Sequence, residues 1–324
     1  MDYRRFGNLG FDVSRLSFGA SSLGGVFRPV EESEAIRAVH AALAGGINYF
    51  DVAPAYGATR SETVLGKALK GVKRSSYHLS TKVGKYTSPG SYGNDTLDYS
   101  EKRIRASVDE SSERLGVDYF DIVHIHDIGY QGRVKTEEAL TIGYETVSTL
   151  KREGRIGGVS FGIYPMDLWH RIVSSLEIDA MLIHNHYCLC DTRARELLPA
   201  VAEKGIAMIN ASPFGMGLLN GRGPAAWHPA NEAERSIFRK AAEFCEEQGV
   251  PIAKLALQFS ASHPDMPTTL FGSASAESVQ RNVRWIEEPY EGELIRAVQE
   301  ILSPVMDRQW DFDAGVAELK KARR

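Results

Sequence analysis

The chain has few cysteines and no long apolar run. Its 324 residues include three cysteines, Cys188, Cys190 and Cys245, which are too few for a disulfide framework in a chain of this length. No apolar stretch reaches the roughly 18 residues that a membrane-spanning helix needs. No apolar signal core follows the first residues of the chain. We therefore expect a cytoplasmic protein that does not bind a membrane.

The sequence also lacks a marked excess of charge of either sign. Lys and Arg total 38 against 42 Asp and Glu, which gives a formal net charge of −4. A nucleic-acid-binding protein usually carries a basic excess, and so does a protein that binds anionic membranes. We therefore expect a small-molecule substrate as the partner and no nucleic acid.

A G-x-G-x-x-G turn, typical of doubly wound sheets that bind dinucleotides, is absent. The chain instead alternates short β-branched or aromatic runs with longer stretches of helical periodicity. Eight such strand–helix units follow a turn-rich segment over residues 4–14. This alternation predicts a parallel sheet, and eight units predict a (β/α)₈ TIM barrel, with a doubly wound sheet as the weaker alternative. We find no break in composition and expect one domain over residues 1–324.

The active site of a (β/α)₈ barrel forms at the C-terminal ends of its strands. Asp51 ends the second predicted strand and Tyr56 follows in the loop, while Lys82 and His126 end the third and fourth strands. A nearby cation lowers the pKa of a phenol. Lys82, paired with Asp51, would thus make Tyr56 a general acid or base near neutral pH. His126 could hydrogen-bond the same substrate oxygen.

Other histidines also occur near predicted strand ends. His184 and His186 are two residues apart and share one face of a strand. No third metal ligand follows them at a fixed spacing, so we expect no metal site. His124 precedes His126 by two residues, and we expect it to fill the barrel layer below the catalytic level without being catalytic.

The motifs around these residues resemble those of the aldo-keto reductase family. The segments are D-V-A-P-A-Y-G at residues 51–57, S-T-K at 80–82, D-I-V-H-I-H at 121–126 and G-V-S at 158–160. The resemblance implies a (β/α)₈ barrel with an N-terminal β-hairpin and C-terminal helices. It also implies a nicotinamide cofactor bound without a separate dinucleotide-binding domain. In that family Tyr56 would be the general acid or base, tuned by Lys82 and Asp51.

The same resemblance implies a set of cofactor-binding residues. Ser160 would hold the nicotinamide carboxamide together with His184, which stands where the family often has Gln. Two further departures are Ala211, where Tyr often stacks on the ring, and Phe161, usually Asn. The remaining positions lie beside the ring and pyrophosphate or at the adenosine phosphate, and are Ser212, Pro213, Gly215, Gly217, Gly272, Ser273, Ser275, Ser278 and Asn282.

Two positions bear on the choice between NAD and NADP. Members that prefer NADPH often carry Lys at the position of Gly272 and Arg at the position of Ser278, and both cations are missing here. A 2′-phosphate is usually recognised by Arg or Lys. We therefore expect NAD rather than NADP, with Arg281 as the nearest remaining cation.

Several segments resemble the family members that use NAD to oxidise the anomeric carbon of L-galactose or of L-fucose, a D-threo-aldose. These segments are residues 19–27, 126–128, 211–219 and 227–230. The resemblance implies an aldose 1-dehydrogenase that forms a lactone from a sugar. The candidate substrate contacts are Phe27, Asp127, Trp227 and His228.

Two alternatives stay open. The same site could serve an NADPH-dependent carbonyl or aldehyde reductase, or a pyridoxal-type dehydrogenase. The chain could also be a redox-sensing regulatory subunit, since potassium-channel β-subunits share this barrel and these four residues. The near-neutral charge argues against the second alternative. Fold alone does not separate these readings, because substrate choice is set by loops.

Overall fold

The computed structural model describes residues 1–26, 28–87, 95–221, 223–226 and 228–312. Strands and helices alternate along the chain as the sequence predicts. The strands are β1 (Tyr3–Arg5), β2 (Asp12–Ser14), β3 (Leu16–Gly19), β4 (Tyr49–Asp51), β5 (His78–Val83), β6 (Lys85–Thr87), β7 (Asp95–Leu97), β8 (Phe120–His126), β9 (Ile156–Ile163), β10 (Ala180–His184), β11 (Ala207–Ala211) and β12 (Thr268–Gly272).

Eight of these strands, β3 to β5 and β8 to β12, form a closed parallel barrel in chain order. The barrel closes where β12 pairs with β3, at Phe271 opposite Phe18. The predicted (β/α)₈ barrel is therefore confirmed. Because parallel strands run the same way, all their C-terminal ends meet at one rim.

Helices surround the barrel and connect its strands. They are α1 (Glu32–Ala44), α2 (Arg60–Leu69), α3 (Glu101–Leu115), α4 (Thr136–Glu138), α5 (Tyr144–Arg152), α6 (Met166–Ser175), α7 (Leu198–Lys204), α8 (Glu232–Glu247), α9 (Ile252–Ser262), α10 (Ala276–Glu287) and α11 (Gly292–Leu302).

Local sequence signals set several of the helix ends. The Ser100 hydroxyl accepts a hydrogen bond from the Arg103 amide at the start of α3. Asn231 and Glu234 form a reciprocal capping box at the start of α8. Gly116 ends α3 in the left-handed conformation, with φ at 68°. No helix in the described part of the chain is both long enough and apolar enough to cross a membrane.

The N-terminal hairpin closes the bottom of the barrel. β1 pairs antiparallel with β2, as expected for this fold. Phe6 and Val13 from the hairpin are fully buried and belong to one apolar cluster with Tyr49 and Ile122 from the barrel strands. The rings of Phe6 and Tyr49 have their centres 5.4 Å apart. The barrel interior is thus packed from below and opens at the rim of C-terminal strand ends.

Two features were not predicted from the sequence. β6 and β7 form a second antiparallel hairpin at the top of the barrel, with Lys85 opposite Leu97. A π-helical segment, Ala139–Gly143, lies between α4 and α5, where the hydrophobic period indicates one helix. The hairpin matters for the site because it brings Lys85 and Thr87 to the rim of the barrel.

Candidate active site

A deep cleft lies at the rim of the barrel. It has a volume of about 990 Å³, and Asp51, Tyr56, Lys82 and His126 line it together. β4, β5 and β8 are neighbours in the barrel. Their ends therefore place side chains that are far apart in sequence next to one another, as the sequence predicts.

Asp51 and Lys82 form a buried ion pair at the base of the cleft. Lys82 Nζ donates to Asp51 Oδ2 and to the Val52 carbonyl at 3.0 Å, while Ser80 Oγ donates to Asp51 Oδ1 at 2.7 Å. Burial acts to raise the pKa of Asp51, but the Lys82 ammonium and His124 hold that pKa below its usual range. Burial lowers the pKa of Lys82, and Asp51 opposes that shift. The pair keeps the Lys82 ammonium fixed and paired in a buried position.

Tyr56 lies beside this charge. Lys82 Nζ is 5.1 Å from the centre of the Tyr56 ring. The rings of Tyr56 and His126 meet edge to face, with centres 5.8 Å apart and planes at 90°. Gly57 follows at a φ of 61°, a conformation that glycine adopts without strain. A phenol held against an ammonium and an imidazole can exchange a proton with a bound alcohol or carbonyl.

His126 is neutral at physiological pH. Burial lowers the pKa of His126 to about 3, although Asp127 acts in the opposite direction. The Tyr99 hydroxyl donates to the His126 carbonyl at 2.6 Å and fixes the end of β8. His126 Nδ1 is buried and has no hydrogen-bond partner within the described residues. His126 also lines the cleft, so its neutral imidazole can orient a ligand oxygen without adding charge to the site.

A layer of polar side chains lies beneath the cleft. His124 is fully buried there, at the level that the sequence predicts. Its Nδ1 is 2.8 Å from Ser160 Oγ, and its Nε2 is 3.4 Å from Asp51 Oδ1. Ser160, expected to hold a carboxamide, is itself fully buried, and its hydroxyl contacts His124. The contact between His124 and Asp51 is not evident from the sequence, because it depends on the shear between strands.

A second buried carboxylate supports the lysine strand from outside the barrel. Glu62 on α2 is fully buried. It accepts hydrogen bonds from Thr81 Oγ1 at 2.7 Å and from Arg114 Nε at 2.6 Å. Thr81 precedes Lys82 on β5. The link between Glu62 and the lysine strand appears only in three dimensions, because Glu62 and Thr81 are 19 residues apart in sequence.

The outer wall of the cleft carries an ion pair. Lys85 Nζ donates to Asp127 Oδ2 at 2.7 Å and lies 4.1 Å from the centre of the Tyr130 ring. Burial acts to raise the pKa of Asp127, but Lys85 and His126 hold it below its usual range. Lys85 was not predicted, because it belongs to the unexpected hairpin. These side chains offer both donors and acceptors to a polar ligand.

Apart from Ser160, which lies on β9 beneath the cleft, the expected cofactor residues fall into two groups. His184, Ser212, Pro213, Gly217 and Gly272 line the cleft. Gly215 lies in the same short turn as Gly217, and the other positions lie after Gly272 at or within α10. There the Ser275 amide donates to Ser273 Oγ at 3.1 Å, Ser275 Oγ caps α10 at the Ser278 amide at 3.3 Å, and Asn282 is buried.

The expected substrate residues are placed less completely. Phe27 and Trp227 lie outside the described residues. His228 is buried and packs against Trp310, with ring centres 5.1 Å apart. Trp310 lines the cleft together with its neighbours at 309–312. No local sequence pattern marks this late segment, since its approach to the barrel is a long-range contact.

The described residues contain no group of three or more His, Cys, Asp or Glu side chains arranged to hold a metal ion. His186 is engaged elsewhere: its Nδ1 is 3.2 Å from Asp191 Oδ2 and its Nε2 is 2.5 Å from the Tyr164 carbonyl. The two histidines near the end of β10 therefore do not form a pair of ligands.

An elongated nicotinamide cofactor fits the donor set of the cleft. The cleft reaches from Tyr56 to Gly272 at the end of β12. A Cβ at Gly272 would lie 3.4 Å from the Gly19 carbonyl oxygen and 3.2 Å from Ser22 Oγ. A side chain at this position would therefore narrow the cleft, which glycine keeps open. Helix α10 begins four residues later, and a helix N-terminus favours phosphate groups.

Comparison with known proteins agrees with this geometry. The model of the aldo/keto reductase family matches residues 15–303. The chain is 37% identical to L-galactose dehydrogenase from Arabidopsis thaliana over 319 residues, which covers 96% of this chain and 97% of that protein. It is 29% identical to pyridoxal 4-dehydrogenase from Microbacterium luteolum, covering 88% and 93%. It is also 29% identical to D-threo-aldose 1-dehydrogenase from a Pseudomonas species, covering 85% and 90%.

A solved structure shows the same likeness. The holo form of an aldo-keto reductase from Bacillus halodurans superposes with a TM-score of 0.78 at 27% identity, covering 95% of this chain and 99% of that one. The family model spans most of the chain, and the barrel and cleft agree with it. The chain is therefore an oxidoreductase that belongs to the aldo/keto reductase family.

Proposed function

We propose that the protein is an NAD-dependent aldose 1-dehydrogenase, which oxidises the C1 hydroxyl of a sugar such as L-galactose or L-fucose to the lactone. The observation that carries the reaction type is Tyr56 held between the buried Lys82 ammonium and the neutral His126 ring. The likeness to L-galactose dehydrogenase, over 96% of this chain, supports the sugar substrate.

The proposed roles follow from the charges in the cleft. Tyr56 takes the proton of the C1 hydroxyl, and the Lys82 ammonium stabilises the phenolate that Tyr56 needs for this task. His126 accepts or donates a hydrogen bond at the same oxygen and stays uncharged. A bound nicotinamide cofactor supplies the hydride acceptor for the C1 hydrogen. Ser212, Pro213, Gly217 and Gly272 would hold that cofactor along the cleft.

The wall of the cleft supports a polyhydroxylated substrate. Asp127 Oδ2 and Lys85 Nζ are 2.7 Å apart and both line the cleft. A hydroxyl group can donate to the carboxylate and accept from the ammonium at the same time. A substrate without hydroxyl groups would cover this ion pair without hydrogen-bonding to it, and so would lose these contacts.

The preference for NAD is part of the proposal. Gly272 and Ser278 offer no cation to a 2′-phosphate. The Arg281 guanidinium lies 5.0 Å from the centre of the Trp285 ring and donates to Ser278 Oγ at 3.3 Å. These contacts support a structural use of Arg281 within α10.

The first experiment follows NADH formation at 340 nm with L-galactose, L-fucose, D-arabinose, D-galactose and pyridoxal. NAD and NADP are compared at equal concentration. We expect oxidation of L-galactose or L-fucose with NAD and weaker activity with NADP. Turnover of pyridoxal alone would favour the kind of reaction named for the Microbacterium luteolum relative. NADPH-linked reduction of simple aldehydes, without sugar oxidation, would contradict the proposal.

A further inference from the structure

His124 lies one level below the cleft, between the Asp51–Lys82 pair and Ser160. It pairs in register with Lys82 on β5 and with Ser160 on β9. Its side chain has no exposed surface, and it does not line the cleft. Any effect of His124 on the reaction must therefore pass through another side chain.

The two oxygens of the Asp51 carboxylate have different hydrogen-bond partners. Oδ2 accepts from Lys82 Nζ. Oδ1 accepts from Ser80 Oγ at 2.7 Å and faces His124 Nε2 at 3.4 Å. His124 Nε2 is buried and makes no hydrogen bond within the described residues, and Asp51 Oδ1 is the acceptor that faces it. A carboxylate oxygen can accept a second hydrogen bond, so a proton on Nε2 directed at Oδ1 would complete the set of donors around Asp51.

The other face of His124 meets a hydroxyl. Ser160 Oγ lies 2.8 Å from His124 Nδ1. Burial lowers the pKa of His124, although Asp51 opposes that shift, and a neutral imidazole carries one N–H. The Ser160 hydroxyl has one proton and two acceptors within reach, His124 Nδ1 at 2.8 Å and the Phe161 carbonyl at 3.2 Å. Nδ1 is the nearer acceptor, and donation to it leaves the imidazole N–H on Nε2, facing Asp51. In the other tautomer the Nε2 lone pair would face a carboxylate oxygen, which is unfavourable where no water intervenes.

We propose that His124 is a positioning residue whose Nε2–H holds the Asp51 carboxylate in the orientation that pairs it with Lys82, with Ser160 fixing the tautomer by donating to Nδ1. The effect of Lys82 on Tyr56, and through Tyr56 on turnover, rests on the proposed function. The tautomer of His124 and its contact with Asp51 do not rest on it.

Loss of the Nε2 donor has a definite electrostatic consequence. The charged groups that face this layer are Asp51 on β4 and Lys82 on β5, and the neutral His126 ends β8, the strand that carries His124. An Asp51 carboxylate with one donor fewer offsets more of the Lys82 charge. The phenolate of Tyr56 is then less stabilised, so the pKa of Tyr56 rises. The rising limb of the oxidation rate therefore moves to higher pH.

Two matched substitutions test the two ring nitrogens of His124 separately. In His124→Gln the amide nitrogen reaches the region of Nε2 and can still donate to Asp51. In His124→Asn the shorter amide can reach only the Ser160 side. We expect His124→Gln to keep most of kcat. We expect His124→Asn to lower kcat about tenfold, the effect of one hydrogen bond to a charged group, and to shift the rising pH limb upward.

The substrate KM and the cofactor Kd should stay within about twofold in both variants, since a factor of two is only about 0.4 kcal/mol. An equal loss of kcat in the two variants with unchanged pH profiles would overturn the proposal, because a packing role predicts that result. Wild-type activity in both variants would overturn it as well. Melting temperatures of the two proteins show whether either variant has lost its fold.

A second measurement needs neither cofactor nor turnover. ¹⁵N NMR of the histidine-labelled, ligand-free chain distinguishes a protonated Nε2 from a protonated Nδ1. The His124 signals are assigned by their loss in His124→Gln. We expect the proton on Nε2, with a change on Ser160→Ala. A proton on Nδ1 would overturn the proposal. If no sugar is oxidised by the wild-type protein, the proposed function fails while this measurement still decides the role of His124.

Discussion

Gly57 packs its backbone directly against Gly24, and this contact fixes the loop that carries Tyr56. Gly57 has a φ of 61°, and a Cβ at this position would overlap the Gly24 carbonyl oxygen. We expect Gly57→Ala to lower the free energy of unfolding by roughly 1–3 kcal/mol. We also expect kcat to fall at least about tenfold, because Tyr56 moves relative to Lys82.

Gly71 is the matched control for this change. It also has a positive φ, of 82°, but a Cβ there would meet no atom within 4 Å. Gly71→Ala should therefore cost only the backbone strain of about 1–2 kcal/mol and leave kcat unchanged. Urea unfolding and steady-state rates of the two variants test the prediction. Equal kcat values in the two variants would show that the Gly24 contact does not position Tyr56.

Removal of the Tyr56 hydroxyl tests the proton-transfer role. Tyr56→Phe should lower kcat about 10²- to 10⁴-fold, the usual contribution of a general acid or base, while the Kd of the cofactor changes little. Tyr144→Phe is the control, because its hydroxyl donates to the Glu177 carbonyl on the outside of the barrel. Rates at 340 nm and quenching of protein fluorescence by the cofactor measure the two quantities. Substantial residual activity in Tyr56→Phe would remove this residue from the mechanism.

The buried ion pair predicts strongly non-additive effects on stability. Asp51→Leu or Lys82→Met alone leaves one charge buried without its partner, which costs about 3–5 kcal/mol. The double variant removes both charges and should recover most of that loss. Glu32→Gln, which breaks an exposed pair with Lys67, should cost less than about 1 kcal/mol. Additive losses in urea unfolding of the single and double variants would argue against a coupled pair.

The wall of the cleft predicts a change in substrate binding. Asp127→Asn keeps the shape of the side chain but removes the charge that faces Lys85. We expect KM for the sugar to rise roughly tenfold, by loss of a hydrogen bond to a charged group, with a smaller change in kcat. A simple aldehyde without hydroxyl groups, reduced in the reverse direction, should show little change in KM. The same loss for both substrates would place Asp127 in catalysis rather than in sugar recognition.

Buried histidines predict that the protein becomes less stable in mild acid. Burial lowers the pKa of His126 to about 3 and those of His184 and His228 to about 4. In the unfolded chain the pKa of histidine is about 6.5. Below that pH the unfolded chain therefore binds protons that the folded chain does not, and the free energy of unfolding falls as pH falls. The loss reaches about 1.4 kcal/mol per pH unit for each of these histidines.

Urea unfolding at pH 7, 6 and 5 measures this loss. The buried carboxylates Asp51 and Asp127, whose pKa values lie below their usual range, add to it only below about pH 4, where they begin to bind protons in the unfolded chain. His228→Gln removes one of the three histidines and should flatten the dependence between pH 6 and pH 5. A stability that is constant from pH 7 to pH 5 would contradict the prediction.

The sequence predicted the barrel and the meeting of Asp51, Tyr56, Lys82 and His126 for one physical reason. The alternation of strands and helices is a local property of the sequence. That parallel strand ends meet at one rim is a property of the topology. Neither requires knowledge of loop conformation. The structure places these four side chains in one cleft.

The rest of the cleft depends on contacts that no local pattern encodes. Lys85 reaches Asp127 because an unpredicted hairpin folds over the barrel. Trp310 reaches the cleft from far along the chain. The amide of Asp307 donates to the Cys190 carbonyl at 2.9 Å and ties that segment down. The contact between His124 and Asp51 spans strands that are not adjacent, so its distance depends on barrel shear.

The hairpin that packs Phe6 onto Tyr49 at the bottom of the barrel also bears on the order of events in turnover. With that end filled, the two reactants of a hydride transfer must enter and leave by the same opening. A ligand bound in the outer part of the cleft then blocks the release of a ligand bound deeper in it. The kinetics should accordingly be sequential, with one ligand that binds first and leaves last. Patterns of product inhibition will show whether this ligand is the cofactor or the substrate.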